Sequence, residues 1–272
     1  MRWWYALVVL VWGVAAAAAE LQLEGELVQG GLVRGQVASG SAVWLDGREL
    51  RVSAEGRFVF GFDRDAGERA ALVVRHPDGR EDRRALKIAG RTYDVQRIDG
   101  LPPRQVTPSE EDLARIEADA QLLEAAKQRD TEGPGFTQEV AWPALGRISG
   151  VYGSQRILNG APRAPHRGLD VAAPPGTPVG AMASGVVSLA EPAMYFTGGT
   201  VMVDHGHGVH SIYAHLQDVL VEVGQDVAQG ATLGTIGSTG RATGPHLHWG
   251  IYWFDRAVDP ALLVGPMPAS LG

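Results

Sequence analysis

Leu247-His248-Trp249-Gly250-Ile251-Tyr252-Trp253 reads as a β-strand, since aromatic and branched side chains suit a pleated surface, and His246 stands at its entrance. Residues i and i+2 of a strand project to the same face, about 6.6 Å apart at ~3.3 Å per residue. His246 and His248 therefore open onto one groove. Upstream, His166-Arg-Gly-Leu-Asp170 adds an imidazole and a carboxylate, and Val209-His-Ser-Ile-Tyr213-Ala-His215 adds another imidazole. Alternation puts Tyr213 and His215 on one face of that segment and His210 with Ile212 on the other. His215 can share the groove only if its strand neighbours the one carrying His248. Two imidazoles and a carboxylate are the donors a catalytic zinc site uses when three protein ligands leave one position open for water. Spacing alone leaves open which of His246 and His248 would hold the metal.

The region around these residues, from Val140 to about Val264, is rich in Gly, Val and Ile and holds all the histidines except His76. Val186 to Leu189, Thr200 to Asp204, Val209 to His215 and Thr232 to Ile236 read as further strands joined by Gly-containing turns. No helical periodicity longer than a turn is present. The expectation is a mostly antiparallel β domain with long loops around the histidines. Arg156 and Asn159 fall in one of these loops. His205-Gly-His-Gly208 reads as a turn between strands, so His205, His207 and His210 are not expected to form a metal triplet.

Outward from this region, Thr131-Glu-Gly-Pro-Gly135 and Gly100-Leu-Pro-Pro103 read as linkers, because Pro removes ladder donors and Gly-Pro pairs break regular structure. Between them Thr107 as N-cap, Pro108 at the first helical position and Glu110 signal a helix. Leu113, Ile116, Ala120 and Leu123 give it one apolar face. Earlier still, Phe58, Phe60 and Phe62 alternate along a strand, and Asp46-Gly47, Glu55-Gly56 and Asp78-Gly79 mark tight turns, the pattern of a small β-sandwich. His76 sits in Arg75-His-Pro-Asp-Gly79, read as an exposed turn. The expected fold class is mainly β: an N-terminal small β-sandwich over 20–100, a linker with an amphipathic helix over 101–135, and an antiparallel-β domain over 136–272.

The first residues, one Arg followed by an apolar run and Ala16 to Ala19, read as a secretory signal peptide over 1–19. The alternative is an uncleaved anchor, for which the run is at the short limit of about 20 residues. Membrane attachment is expected only in that case. There is no cysteine among the 272 residues, which excludes thiolate ligands and thiol nucleophiles. With 24 basic and 31 acidic residues the formal charge is −7, and no basic cluster offsets it, so nucleic acid is not an expected partner.

The run Tyr152-Gly, His166-Arg-Gly-Leu-Asp170, Gly176-Thr-Pro-Val179, Val203-Asp-His205-Gly, Tyr213-Ala-His-Leu216, Gly237-Ser-Thr-Gly240 and Gly244-Pro-His-Leu-His-Trp249-Gly resembles the lysostaphin/LytM-type zinc endopeptidases of bacterial cell walls. The resemblance covers over a third of the chain and holds in order as well as content. It implies a LytM-type fold for the C-terminal domain and one zinc per chain, held by His166, Asp170 and His248. It further implies catalytic roles for His215 and His246, with a zinc-bound water as nucleophile. The implied substrate is the stem peptides of peptidoglycan, with the D-Ala to meso-diaminopimelate link the expected bond, and the implied location is periplasmic or otherwise extracytoplasmic. An envelope regulator is a further partner this architecture allows. The competing expectation is a non-catalytic LytM-type protein that binds or activates cell-wall hydrolases. All five family positions carry the expected residue types here, which favours the enzyme.

Overall fold

The structure is a computed structural model that describes residues 21–100, 109–162 and 164–270. The expected signal segment 1–19 and the expected cap at Thr107 and Pro108 lie outside the described residues. Among the described residues eight strands precede the helix: β1 (Gln22–Glu24), β2 (Leu32–Gln36), β3 (Ala42–Leu45), β4 (Arg48–Leu50), β5 (Arg57–Gly61), β6 (Arg69–Arg75), β7 (Glu81–Lys87) and β8 (Val95–Ile98). Helix α1 (Glu110–Lys127) follows. Then come β9 (Arg147–Gly150), β10 (Gln155–Leu158), β11 (Ala161–Pro162), β12 (Leu169–Ala172), β13 (Pro178–Gly180), β14 (Gly185–Met194), β15 (Gly198–Asp204), β16 (Val209–Val219), β17 (Asp226–Val227), β18 (Thr232–Ile236), β19 (Leu247–Trp253) and β20 (Arg256–Val258).

The N-terminal strands form two antiparallel sheets, ordered β1-β2-β5 and β4-β3-β6-β7. Phe58 and Phe60 from the first and Val43, Leu45, Leu72 and Val74 from the second are buried in one cluster, as a sandwich requires. β5 departs from simple alternation, because Val59 and Gly61 are buried as well. The cause lies on its other side: a Cβ on Gly61 would meet the side chains of Trp253 and Val258, so β5 is covered from both faces. His76 is not exposed as expected. It is buried, with Nε2 2.8 Å from Asp82 Oδ2 across the β6-β7 hairpin.

The large sheet runs β17-β14-β15-β16-β19-β12-β9, with β18 also pairing β16. Its alternating side chains divide into two layers. Val201, Val203, Tyr213, Trp249 and Ile251 point into the main core, and Met202, Ile212 and Tyr252 form a second cluster with Leu123 and Ala126 of α1. Register pairs Ile212 with Gly250 and Ala214 with His248, so α1 covers the face of the sheet that also carries His248.

The helix begins later than expected. Ser109 is the N-cap and Asp112 closes the capping box, with acidic residues through the first turn where the helix dipole favours them. Its inward face is also rotated from the expected stripe: Leu113 is 52% exposed, and Ala126 is the buried residue. Residues 155–158, expected in a loop, instead form β10, which pairs in parallel with β8 from the N-terminal half. Arg156 belongs to this strand, but its side chain lies outside what is described.

Candidate metal centre

His166 precedes β12, Asp170 is its second residue and His248 is the second residue of β19. Antiparallel pairing sets Asp170 directly opposite His248. The bend that brings His166 back onto this pair depends on Gly168, where a Cβ would fall on the Trp249 carbonyl and crowd the His248 ring. Gly150 of β9 does the same for the carboxylate: a Cβ there would fall on Asp170 Oδ2.

The three donor atoms form an equilateral triangle. His166 Nε2 to His248 Nδ1, His166 Nε2 to Asp170 Oδ1 and His248 Nδ1 to Asp170 Oδ1 are each 2.9 Å. His166 Nδ1 lies 3.0 Å from the Val151 carbonyl, which only accepts, so Nδ1 carries the proton and Nε2 of the neutral ring presents a lone pair. Lone pairs that converge at this distance repel unless a cation or extra protons lie among them. Two imidazoles and a carboxylate, mostly buried and with one ring oriented by a carbonyl, suit a zinc ion. Among the described residues this is the group of His and acidic side chains able to hold a metal.

Burial would push the Asp170 carboxyl up, but when the extra protons sit on His166 and His248 their hydrogen bonds and charge outweigh it and hold the group well below the usual carboxylate range. His246 Nε2 lies 4.0 Å from Asp170 Oδ1, and its Nδ1 is 2.8 Å from the Gly244 carbonyl. The His215 ring is 4.7 Å from that of His246 and 6.2 Å from that of His248, centroid to centroid. Its Nδ1 is 2.9 Å from the Thr239 carbonyl. Carbonyls thus set the same tautomer, proton on Nδ1, at His166, His215 and His246. Burial, then the neighbouring His248 and His246, push the His215 imidazole down to about 3, so it is neutral at working pH.

The five residues singled out in the sequence come together in one place. Tyr213 does not join them. It is fully buried opposite Trp249, and its hydroxyl accepts from the Met182 amide at 2.8 Å. His205, His207 and His210 are buried away from the group: His205 Nδ1 donates to the Ser184 carbonyl, and His207 and His210 contact the carbonyls of Arg51 and Arg129. The carbonyls of Val151, Thr239 and Gly244 were invisible to residue-type reasoning, since every residue carries one.

Residues 164–260 match the profile of Peptidase family M23. A solved chain from Pseudomonas aeruginosa assigned to peptidase M23 is 31% identical to this one. The alignment covers 89% of this chain and 96% of that one, with a TM-score of 0.68. The chain belongs to peptidase family M23. Among curated relatives, the peptidoglycan DD-endopeptidase ShyA of Vibrio cholerae is 39% identical over 126 residues, 46% of this chain and 29% of its own length. ShyC of the same organism, also named a peptidoglycan DD-endopeptidase, is 44% identical over 122 residues, 42% of this chain and 27% of its own length. The matched region thus spans less than a third of either relative.

Proposed function

We propose that this chain is a zinc metalloendopeptidase that hydrolyses peptide cross-links of bacterial peptidoglycan outside the cytoplasm. The observation that carries the reading is the triangle of His166, Asp170 and His248 with His215 and His246 at its edge. The names of the matched Vibrio relatives support peptidoglycan as substrate, and the D-Ala to meso-diaminopimelate link is the bond we assign. In this reading 136–272 is the peptidase domain, 101–135 the helical linker and 20–100 an accessory β-sandwich.

Zinc bound to the triangle supplies a Lewis acid for the scissile carbonyl and an acidified water at neutral pH. The protein's own residues do the rest. Val151 fixes the His166 ring, and the ionised Asp170 offsets positive charge in a mostly buried site. His215, neutral with Nε2 unprotonated, takes a proton and returns it to the leaving amine, an effect typically worth ~10²- to 10⁴-fold. His246, with Nδ1 held by the Gly244 carbonyl, stabilises negative charge developing on the carbonyl oxygen when a second proton on Nε2 makes it a cationic donor, for which one lost donor typically costs about 3 to 4 kcal/mol.

The test is mass spectrometry of muropeptides released from purified sacculi by the protein, with and without a zinc chelator. Cross-linked species should disappear only without chelator, and product masses identify the bond. Intact sacculi with a zinc-loaded protein would favour a non-catalytic binding or activator role.

A further inference from the structure

Helix α1 is poorly built to pack as an apolar strut. Leu113 and Leu122 are 52% and 44% exposed, and only Ala126 is buried outright. Beside the apolar contacts of Leu123 and Ala126, its N-terminal part carries polar groups aimed at one target, the hairpin tip between β14 and β15. Asp119 Oδ2 accepts from the Tyr195 amide at 2.6 Å. Arg115 donates to the Ala193 carbonyl and lies over the Tyr195 ring. Asp112 accepts from the Tyr195 side chain.

The other side of the same tip holds His215. The His215 amide donates to the Thr197 carbonyl at 2.7 Å, and the Arg241 amide donates to the Phe196 carbonyl at 2.8 Å. His215 itself has φ +62°, a left-handed conformation that strains a non-glycine residue and persists only where its surroundings fix it. Its amide on Thr197, its carbonyl accepting from Gly237 and its Nδ1 on Thr239 are those fixings.

We propose that Asp119 of α1 is a positioning residue: by clamping the hairpin at Tyr195 it holds Thr197 where the His215 amide needs it, and so keeps the His215 ring on the metal face of the sheet. Arg115 and Asp112 brace the same tip. The inference rests on the catalytic role assigned to His215 above, but its structural half is independent of activity.

The experiment uses the full zinc-loaded chain and its Asp119→Ala and Asp119→Asn variants, with a soluble cross-linked muropeptide as substrate and amide hydrogen exchange as a second readout. Asp119→Ala should lower kcat about tenfold with KM and zinc stoichiometry unchanged, and should speed exchange at the His215 amide. Asp119→Asn, whose Oδ1 accepts the same Tyr195 amide, should restore both. An Asp119→Ala variant with wild-type kcat and exchange overturns the proposal. So does a loss that tracks a lowered melting temperature and is not restored by Asn. His215→Ala measured in parallel separates the two claims: if it stays active, the role of His215 fails. If it is inactive while Asp119→Ala is unaffected, only the clamp fails.

Discussion

Ala214, not His215, is the residue of β16 that pairs with His248 on β19. Continued alternation would turn His215 toward the buried side with Tyr213 and Trp249, away from His246 and His248. The left-handed φ of +62° at His215 reverses this. At the same point β16 exchanges β19 for β18 as its partner, with Leu216 pairing Ile236. His215 therefore sits at a break in the ladder rather than within it.

From this placement, His215→Ala should retain stoichiometric zinc and fold normally yet lose ~10²- to 10⁴-fold in turnover, the usual worth of a positioned acid or base. Metal content by atomic emission together with muropeptide release checks it. Loss of zinc in this variant would move His215 into the ligand set.

His246 and His248 share a strand face but differ in reach. His248 Nδ1 is 2.9 Å from Asp170 Oδ1, whereas His246 Nε2 is 4.0 Å away. His248→Ala is expected to abolish stoichiometric zinc binding, and His246→Ala to keep zinc while losing most activity. A metal-free His246→Ala protein would reverse the two assignments.

Much of this was readable in the sequence because runs of branched and aromatic residues between glycine-containing turns advertise buried strands. The expected strands at Thr232 to Ile236 and Leu247 to Trp253 match β18 and β19, and the pairing condition set for His215 is met. What was not readable has physical reasons. Alternation presumes extended backbone, so a single positive φ misplaced Tyr213 beside His215. The parallel pairing of β8 with β10 joins segments distant in the chain, with no local signature. The inward face of α1 is set by hydrogen bonds to a hairpin tip as well as by the packing of Leu123 and Ala126, and a stripe of Leu and Ile does not reveal the first.

Gly150 gives a prediction about space rather than chemistry. Its missing Cβ leaves room for Asp170 Oδ2, and the two residues pair across β9 and β12. Gly150→Ala should displace the carboxylate from the triangle, weakening zinc binding by at least tenfold and costing about 1 to 3 kcal/mol through overpacking. Competition with a chromogenic chelator and urea unfolding measure the two effects. Unchanged zinc affinity would mean the β9 edge yields instead.

His205 should govern part of the acid stability. Its Nδ1 donates to the Ser184 carbonyl at 2.9 Å, and its Nε2 lies 2.7 Å from Ser211 Oγ, itself 3.0 Å from the Tyr213 hydroxyl. The Met182 amide donates to the Tyr213 oxygen, so the hydroxyl protons can run from Tyr213 to Ser211 to an unprotonated Nε2. A proton on Nε2 would reverse that chain and leave the buried Tyr213 proton without an acceptor. Burial, the dominant cause, pushes His205 down from 6.5 to about 4. Between those values the unfolded chain binds the proton and the folded one does not, so folding stability rises with pH across this window. The contribution is fully present above pH 6.5 and is lost as pH falls toward 4, in total about 3 kcal/mol at 1.36 kcal/mol per unit. Urea unfolding at pH 7 and near pH 4 should show a smaller acid loss for His205→Asn than for the unsubstituted chain, although the variant starts less stable. Equal losses in the two proteins would show that other groups, and not this imidazole, carry the acid sensitivity.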